Sequence, residues 1–251
     1  MKAGLTSITF RNLDILQLAA LAKESHLSTI EWGGDIHCPP GNMEKAQKAK
    51  AVTEEFGLTV SSYGSYFRLS VNANSEFDCV CATAQTLGTN TVRIWAYNKD
   101  HDDISCDEYA KVISDARIVS DIAKSYGITV CFEFHRGTLT RSASFAKKLI
   151  EDIDRDNIRL YWQPNPEISH SDNCSELEMI LPYLVNIHCF AWTWEDSKNV
   201  RHPLSFSKNE WNDYISIAKK GKVQNILIEF VDKDSQDQLI CDGEFLLNMI
   251  G

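Results

Sequence analysis

Short apolar runs alternate with longer amphipathic ones along this chain. STIEW, LTVSSYG, NTVRIWA, ITVCFEF, IRLYWQ, LVNIHCF and NILIEFV read as strands, with residues 3 to 10 as a further, first one. Between them LDILQLAALAKES, MEKAQKAKAVTEEFG and SEFDCVCATAQTLG carry apolar residues at helical spacing, and a long helix ends at Gly127. Four more helices are expected: from about Ser142 to Asp152, over SELEMILPYL, over NEWNDYISIAKKG, and from near Ser235 onward. Start and stop signals agree with these limits. Asn12 or Asp14 can cap the first helix, Ser75 with Asp78 and Ser235 with Gln238 resemble capping boxes, and Gly57 ends the second helix.

Eight strands alternating with eight helices at an even period, with no linker or composition shift, predict one domain over residues 1–251. A doubly wound sheet needs fewer strands and often announces its ligand with a glycine fingerprint, and neither GxGxxG nor GxxxxGK[ST] occurs here. The expectation is therefore an α/β fold, a single-domain (β/α)8 TIM barrel. Its active site would lie where the strands run into the loops that follow them.

Four of the strands end near a group able to hold a metal or move a proton: Glu133, Gln163, His188 and Glu229. Their spacings of 30, 25 and 41 residues suit successive strands separated by helices and loops, so a closed barrel would bring them together. Carboxylate and amide oxygens with an imidazole nitrogen make a mixed site for one divalent ion, Mn²⁺, Mg²⁺, Co²⁺ or Zn²⁺. Glu133 and Glu229 are also the candidate catalytic acid–base pair. Charged residues stand at strand ends for the simpler reason that solvent begins there, and it is the shared position of the four that favours a site. His135, two residues beyond Glu133, would face the same mouth and either contact substrate or bond to Glu133. His37 in the GGDIHCPPG loop, Tyr66, Arg68 and Trp95 are further candidates for binding substrate. Arg93 and the Arg136–Gly137 turn could meet an anionic group, although a paired structural arginine fits as well.

Composition narrows the class. A formal net charge of -10 gives no support to a nucleic-acid or anionic-membrane surface. The start of the chain has no long apolar run before its first charges, so a signal peptide is not expected, and no stretch is long enough to span a membrane. The eight cysteines include no CxxC pair, and Cys79, Cys131 and Cys189 sit in apolar patterns. They read as reduced packing residues that bind no metal, in a cytoplasmic protein.

IEWGGDIHCPPG, YGSYFRL, VRIWA, FEFHRGTLT and LIEFVDKDS together resemble the sugar phosphate isomerase/epimerase family, the xylose-isomerase-like TIM barrels. The likeness spans nearly the whole chain. It implies an enzyme of carbohydrate metabolism, binding one divalent ion and interconverting small sugar or polyol derivatives through an enediolate. Carried over by position, the ligands would be Glu133, Gln163, His188 and Glu229, with the two glutamates on opposite faces of the substrate. The family pattern has aspartate where Gln163 stands, and the histidine usual a few residues further on is missing. A neutral amide would leave a ligand set of lower charge. The resemblance also admits a lyase or dehydratase, or a catalytically silent sugar-binding or partner subunit. The partner expected is a sugar-like small molecule, and the helices offer surface for a homo-oligomer.

Overall fold

A computed structural model describes all 251 residues. Its frame is a closed parallel barrel of eight strands, in the order β1 (Lys2–Thr6), β10 (Asn225–Ile228), β7 (Leu184–Cys189), β6 (Ile158–Trp162), β5 (Thr129–Glu133), β4 (Thr91–Trp95), β3 (Thr59–Arg68), β2 (Thr29–Gly33). The helices alternate with the strands outside: α1 (Ile15–Glu24), α2 (Met43–Glu55), α3 (Phe77–Leu87), α4 (Cys106–Ser125), α5 (Ala143–Ile153), α6 (His170–Ile180), α7 (Lys208–Ala218) and α8 (Gln236–Ile250). The expected TIM barrel is the fold observed. No helix is long and apolar enough to cross a membrane.

Local signals explain several boundaries. Asp14 caps α1 through a reciprocal box, its Oδ1 accepting from the Gln17 amide at 2.9 Å while Gln17 Oε1 accepts from the Asp14 amide. Ser105 and Glu108 form a second such box ahead of α4. Ser75 does not cap α3, because a short 3-10 turn over Asn74–Glu76 intervenes and Glu76 takes the cap position without a side-chain bond. At α8 the box is half formed: Ser235 accepts from the Gln238 amide, but the Gln238 side chain donates to Asp242 instead. The first strand is shorter than residues 3 to 10, since a 3-10 turn over Ser7–Phe10 ends it. The aromatic stretch after β7 contains an antiparallel hairpin of β8 (Ala191–Glu195) and β9 (Lys198–His202). Asp196 and Ser197 at its tip both have positive φ, the conformation of a tight two-residue turn.

The barrel interior is layered by the two-residue period of its strands. Cys131, Tyr161, Val185 and Leu227 form a small buried cluster separate from the main core between strands and helices. Two residues beyond three of them, on the same face of their strands, come Glu133, Gln163 and Glu229. Apolar filling therefore gives way to a polar floor at the C-terminal mouth.

Gly64 on β3 makes room for that floor. A Cβ there would stand 2.6 Å from Nη2 of Arg93 and 3.0 Å from Oε1 of Glu31. Both neighbours are fully buried and ion-paired to each other, so neither can step aside cheaply. Gly64→Ala should cost about 1–3 kcal/mol, the usual range for forcing a group into a packed interior. Urea unfolding measures it, and an unchanged midpoint would show that the guanidinium has slack.

Candidate active site

Five charged or titratable side chains converge inside the mouth. Glu31 comes from β2, Arg93 from β4, Glu133 from β5, His188 from β7, and Glu229 follows β10; none is more than 5% exposed. Unpaired, such groups would be prohibitively costly to bury. Arg93 is the common partner. Its Nε donates to Glu31 Oε1 at 2.9 Å and its Nη1 to Glu133 Oε2. Trp95 Nε1 donates to that same Glu133 oxygen at 2.6 Å, and Ser62 donates to the other Glu31 oxygen at 2.8 Å.

His188 sits among three carboxylates. Its Nδ1 faces Glu133 Oε1 at 3.3 Å and Glu229 Oε2 at 3.7 Å, while Nε2 faces Glu31 Oε1 at 3.4 Å. These separations are long for hydrogen bonds, and neither ring nitrogen has a well-formed one.

The electrostatics set the glutamates apart. Burial disfavours the Glu133 carboxylate, but the Arg93 guanidinium, with His188, outweighs it and holds the pKa at about 2. Glu31 is likewise kept ionised against burial, by Arg93 and then His188. Glu229 goes the other way: burial raises it, and the charge of Glu133 adds to that despite His188. Burial works against a charged His188, yet Glu229, Glu133 and Glu31 together lift its pKa to about 10.

The donor set fits a divalent cation. Ligand atoms of Glu133, His188 and Glu229 all lie within 4.8 Å of one another. Gln163 Nε2 donates to the Phe134 carbonyl at 2.6 Å, which fixes which end of the amide is oxygen. Its Oε1 is then left buried with no partner. A lone pair orphaned in this way is what a ligand oxygen looks like before its ion is bound. Glu31 behind His188 Nε2 matches the outer carboxylate that commonly orients a metal-binding imidazole.

Above these residues lies a cavity of about 280 Å³, walled by Tyr66, Arg93, Trp95, Glu133, His135, Gln163 and Glu229, with Arg11, Arg136, Arg141, Trp192, Asn199 and Phe230 around them. A wider depression of about 830 Å³ opens at the opposite end, among Lys2, Thr59, Asn90 and Gln224, away from the acid–base groups. Tyr66 reaches the wall through an irregularity in β3, where the pairing with β4 shifts between Gly64 and Arg68 and Tyr66 adopts φ 60°. Its ring meets Trp95 edge-on, 5.3 Å between centroids. His135 also lines the cavity, but its Nδ1 donates to the Arg136 carbonyl rather than to Glu133.

Two of the expected substrate contacts lie elsewhere. His37 is buried under the mouth, its Nε2 donating to the Leu13 carbonyl and its ring edge-on to Trp32. Arg68 stacks on Trp95, 4.0 Å from the ring centroid, and is outside the cavity wall. Glu31 was not singled out in the sequence. Its signal was there: a carboxylate inside the compact apolar run STIEW must be paired, and Arg93 occupies the like place in NTVRIWA. Trp192, from the hairpin, carries the general signal of an aromatic beyond a strand end, whereas Asn199 had no readable signal.

A family model described as xylose isomerase-like TIM barrel matches residues 19–238. No curated protein matches the chain in sequence. Among solved structures, the probable 3-DHS dehydratase AsbF of Bacillus anthracis superposes with a TM-score of 0.84 at 18% identity, covering 99% of both chains. A xylose isomerase-like TIM barrel protein from Mycobacterium smegmatis in complex with magnesium gives 0.75 at 15%, over 99% of this chain and 96% of that one. A D-psicose 3-epimerase gives 0.74 at 14%, over the whole of both chains. At these identities the likeness is one of fold.

The His188 environment has a consequence for stability. Its folded pKa of about 10 lies above the roughly 6.5 of an unfolded chain. The stabilisation is thus complete below the unfolded value and is lost as pH rises through the folded one. Chelator-treated protein should lose stability between about pH 6.5 and 10, and His188→Gln should flatten that slope. Parallel slopes in the two proteins would mean that His188 is not charged when metal-free.

Proposed function

The chain belongs to the xylose isomerase-like TIM-barrel family, and from there we propose that it is a divalent-metal-dependent isomerase or epimerase of a small sugar or polyol derivative. The supporting observation is the unequal setting of two carboxylates on one cavity wall. Glu133 is held ionised, with Oε2 already accepting from Arg93 and Trp95. Glu229 is raised and accepts no comparable bond. Groups whose pKa values are pushed apart in this way divide acid–base roles between them.

In this reading Glu133, Gln163, His188 and Glu229 hold one Mn²⁺, Mg²⁺, Co²⁺ or Zn²⁺, which when bound supplies polarisation of substrate carbonyl and hydroxyl oxygens. Glu229 removes the proton alpha to the carbonyl and, from the enediolate, returns it to the former carbonyl carbon, while the alpha-hydroxyl proton passes to the former carbonyl oxygen and the carbonyl reforms on the alpha carbon. Glu133 serves as a ligand with its second oxygen committed, so the two glutamates are not interchangeable bases. One free carboxylate favours proton transfer along a single substrate face, which is isomerisation, over inversion at carbon. Trp95 and Tyr66 offer apolar faces for a sugar ring, and His135 a polar edge.

A second reading, a dehydratase, draws support from Arg11, Arg136 and Arg141 on the same wall, although each also pairs with a carboxylate of the chain: Arg11 with Asp35, Arg136 with Glu167, and Arg141 with Asp100 and Glu167. These arginines suit a substrate with an acid group, and after the same proton removal a β-hydroxyl could leave as water. The solved structure named as a probable 3-DHS dehydratase has this fold.

Metal analysis with deuterium exchange tests the reading. Wild type should hold one ion at the barrel mouth, lost in Glu229→Gln, and exchange the carbon-bound proton of a ketose in deuterated water. Glu229→Gln should lower exchange by about 10²-fold or more, the scale of a lost general base. Product lacking one water would favour the dehydratase, and metal-independent binding without exchange would sink both. Gln163→Asp adds a negative charge to the ligand set and should tighten the metal by roughly tenfold, since ligand charge tunes affinity. Chelator competition reads this, and unchanged affinity would place Gln163 outside the ligand set.

A further inference from the structure

A second cluster of ligand-type side chains lies outside the barrel, between α6 and α7. His170 opens α6 and Cys174 follows four residues later, so both project from one side of the helix. Asp213 comes from the neighbouring α7. Ligand atoms of the three lie within 4.8 Å of one another. One imidazole nitrogen faces both partners: His170 Nε2 is 2.9 Å from Asp213 Oδ2 and 3.7 Å from Cys174 Sγ. The other, Nδ1, lies 3.2 Å from the Tyr214 hydroxyl and 3.9 Å from the same sulfur.

This is close to the spacing of tetrahedral zinc. Bonds of about 2.3 Å to sulfur and about 2.0 Å to nitrogen and oxygen set ligand separations near ~3.5 Å for N···S and ~3.3 Å for N···O. The distances from His170 Nε2 to Cys174 Sγ and to Asp213 Oδ2 are within a few tenths of an ångström of these. Sγ stands almost as close to Nδ1, however, beside the ring rather than ahead of Nε2, so binding requires the Cys174 side chain to rotate toward Nε2. His170 and Cys174 are half-buried and Asp213 is exposed, so none of the three is locked in a packed interior. Tyr214 completes the pattern, since a metal-bound histidine normally donates its other N–H to an outer partner that fixes the tautomer.

We infer that His170 Nε2, Cys174 Sγ and Asp213 Oδ2 bind a zinc-class divalent cation, with the fourth position open to water. The thiolate selects against magnesium and calcium, which want oxygen ligands only. The site departs from the expectation that no cysteine here is a ligand. It is separate from the barrel mouth, where no sulfur is among the donors, and does not rest on the isomerase reading. Its place in the fold suggests what the ion does. The loop from Gln163 to α6 supplies Pro164, Asn165 and Pro166 to the cavity wall, and an ion joining α6 to α7 anchors the far end of that loop. The rival is a plain hydrogen-bonded chain from Asp213 through His170 to Tyr214, with Cys174 a bystander.

Cobalt(II) titration of the chelator-treated full chain distinguishes them, because only a sulfur ligand gives a thiolate-to-cobalt charge-transfer band. Wild type should show that band with the intense visible absorption of tetrahedral cobalt, and zinc should displace both. Cys174→Ser should lose the band and bind one fewer equivalent of zinc, while Glu229→Gln keeps it. His170→Ala should weaken zinc at this site by at least roughly tenfold, since even an outer partner's loss costs that much. No band in wild type overturns the proposal, as does a band surviving in Cys174→Ser, which would point to exposed Cys106 or Cys241. Unchanged zinc affinity in His170→Ala overturns it too.

Discussion

The polar floor depends on one buried guanidinium. Arg93 lies between Glu31 and Glu133, so the barrel can carry carboxylates in its mouth without leaving them unpaired in a dry interior. The planar fork of arginine suits this role because separate nitrogens reach separate carboxylates at fixed angles. Much of the neighbourhood follows from it. Gly64 has no side chain because the guanidinium needs the space. Glu133 has one oxygen fixed by Arg93 and Trp95 and the other turned to His188. Glu31, anchored by Arg93 and Ser62, stands behind the imidazole. Glu229, which Arg93 does not directly bond, keeps the raised pKa.

How much of this was readable in the sequence depended on the range of each interaction. Strands and helices came through because their periods are local, and the barrel followed from counting them. The convergence of Glu133, Gln163, His188 and Glu229 was readable because closure of a parallel barrel brings strand ends together whatever the loops do. Glu31 escaped notice because its meaning lies in a partner 62 residues away and in the absence of a side chain at position 64. His37 and Arg68 looked like cavity residues because their segments run near the mouth. Whether a side chain turns toward the cavity or against a neighbouring ring is decided by backbone angles, as at Tyr66, that composition does not encode. The Ser75 capping signal failed for a local reason, since an extra 3-10 turn moved the helix start past it.

Gln163 changes the character of the proposed centre without removing it. An amide keeps the oxygen in place, pinned through its NH₂ to the Phe134 carbonyl, and withdraws one negative charge. An ion held by fewer charges would be bound less tightly and would draw electrons more strongly from whatever else it touches. Affinity and reactivity would thus be exchanged against each other at a single position.

The hairpin of β8 and β9 pairs with itself alone and takes no part in the barrel's hydrogen-bond ladder. It nevertheless contributes Trp192 and Asn199 to the cavity wall, and Arg136 rests against its Trp194, 4.7 Å from the ring. Lengthening, shortening or rewriting this appendage disturbs no strand that carries a proposed metal ligand. Divergence can therefore act on what the mouth admits at one tempo and on the acid–base groups beneath at another. A family built this way can multiply its substrates while its interior stands still.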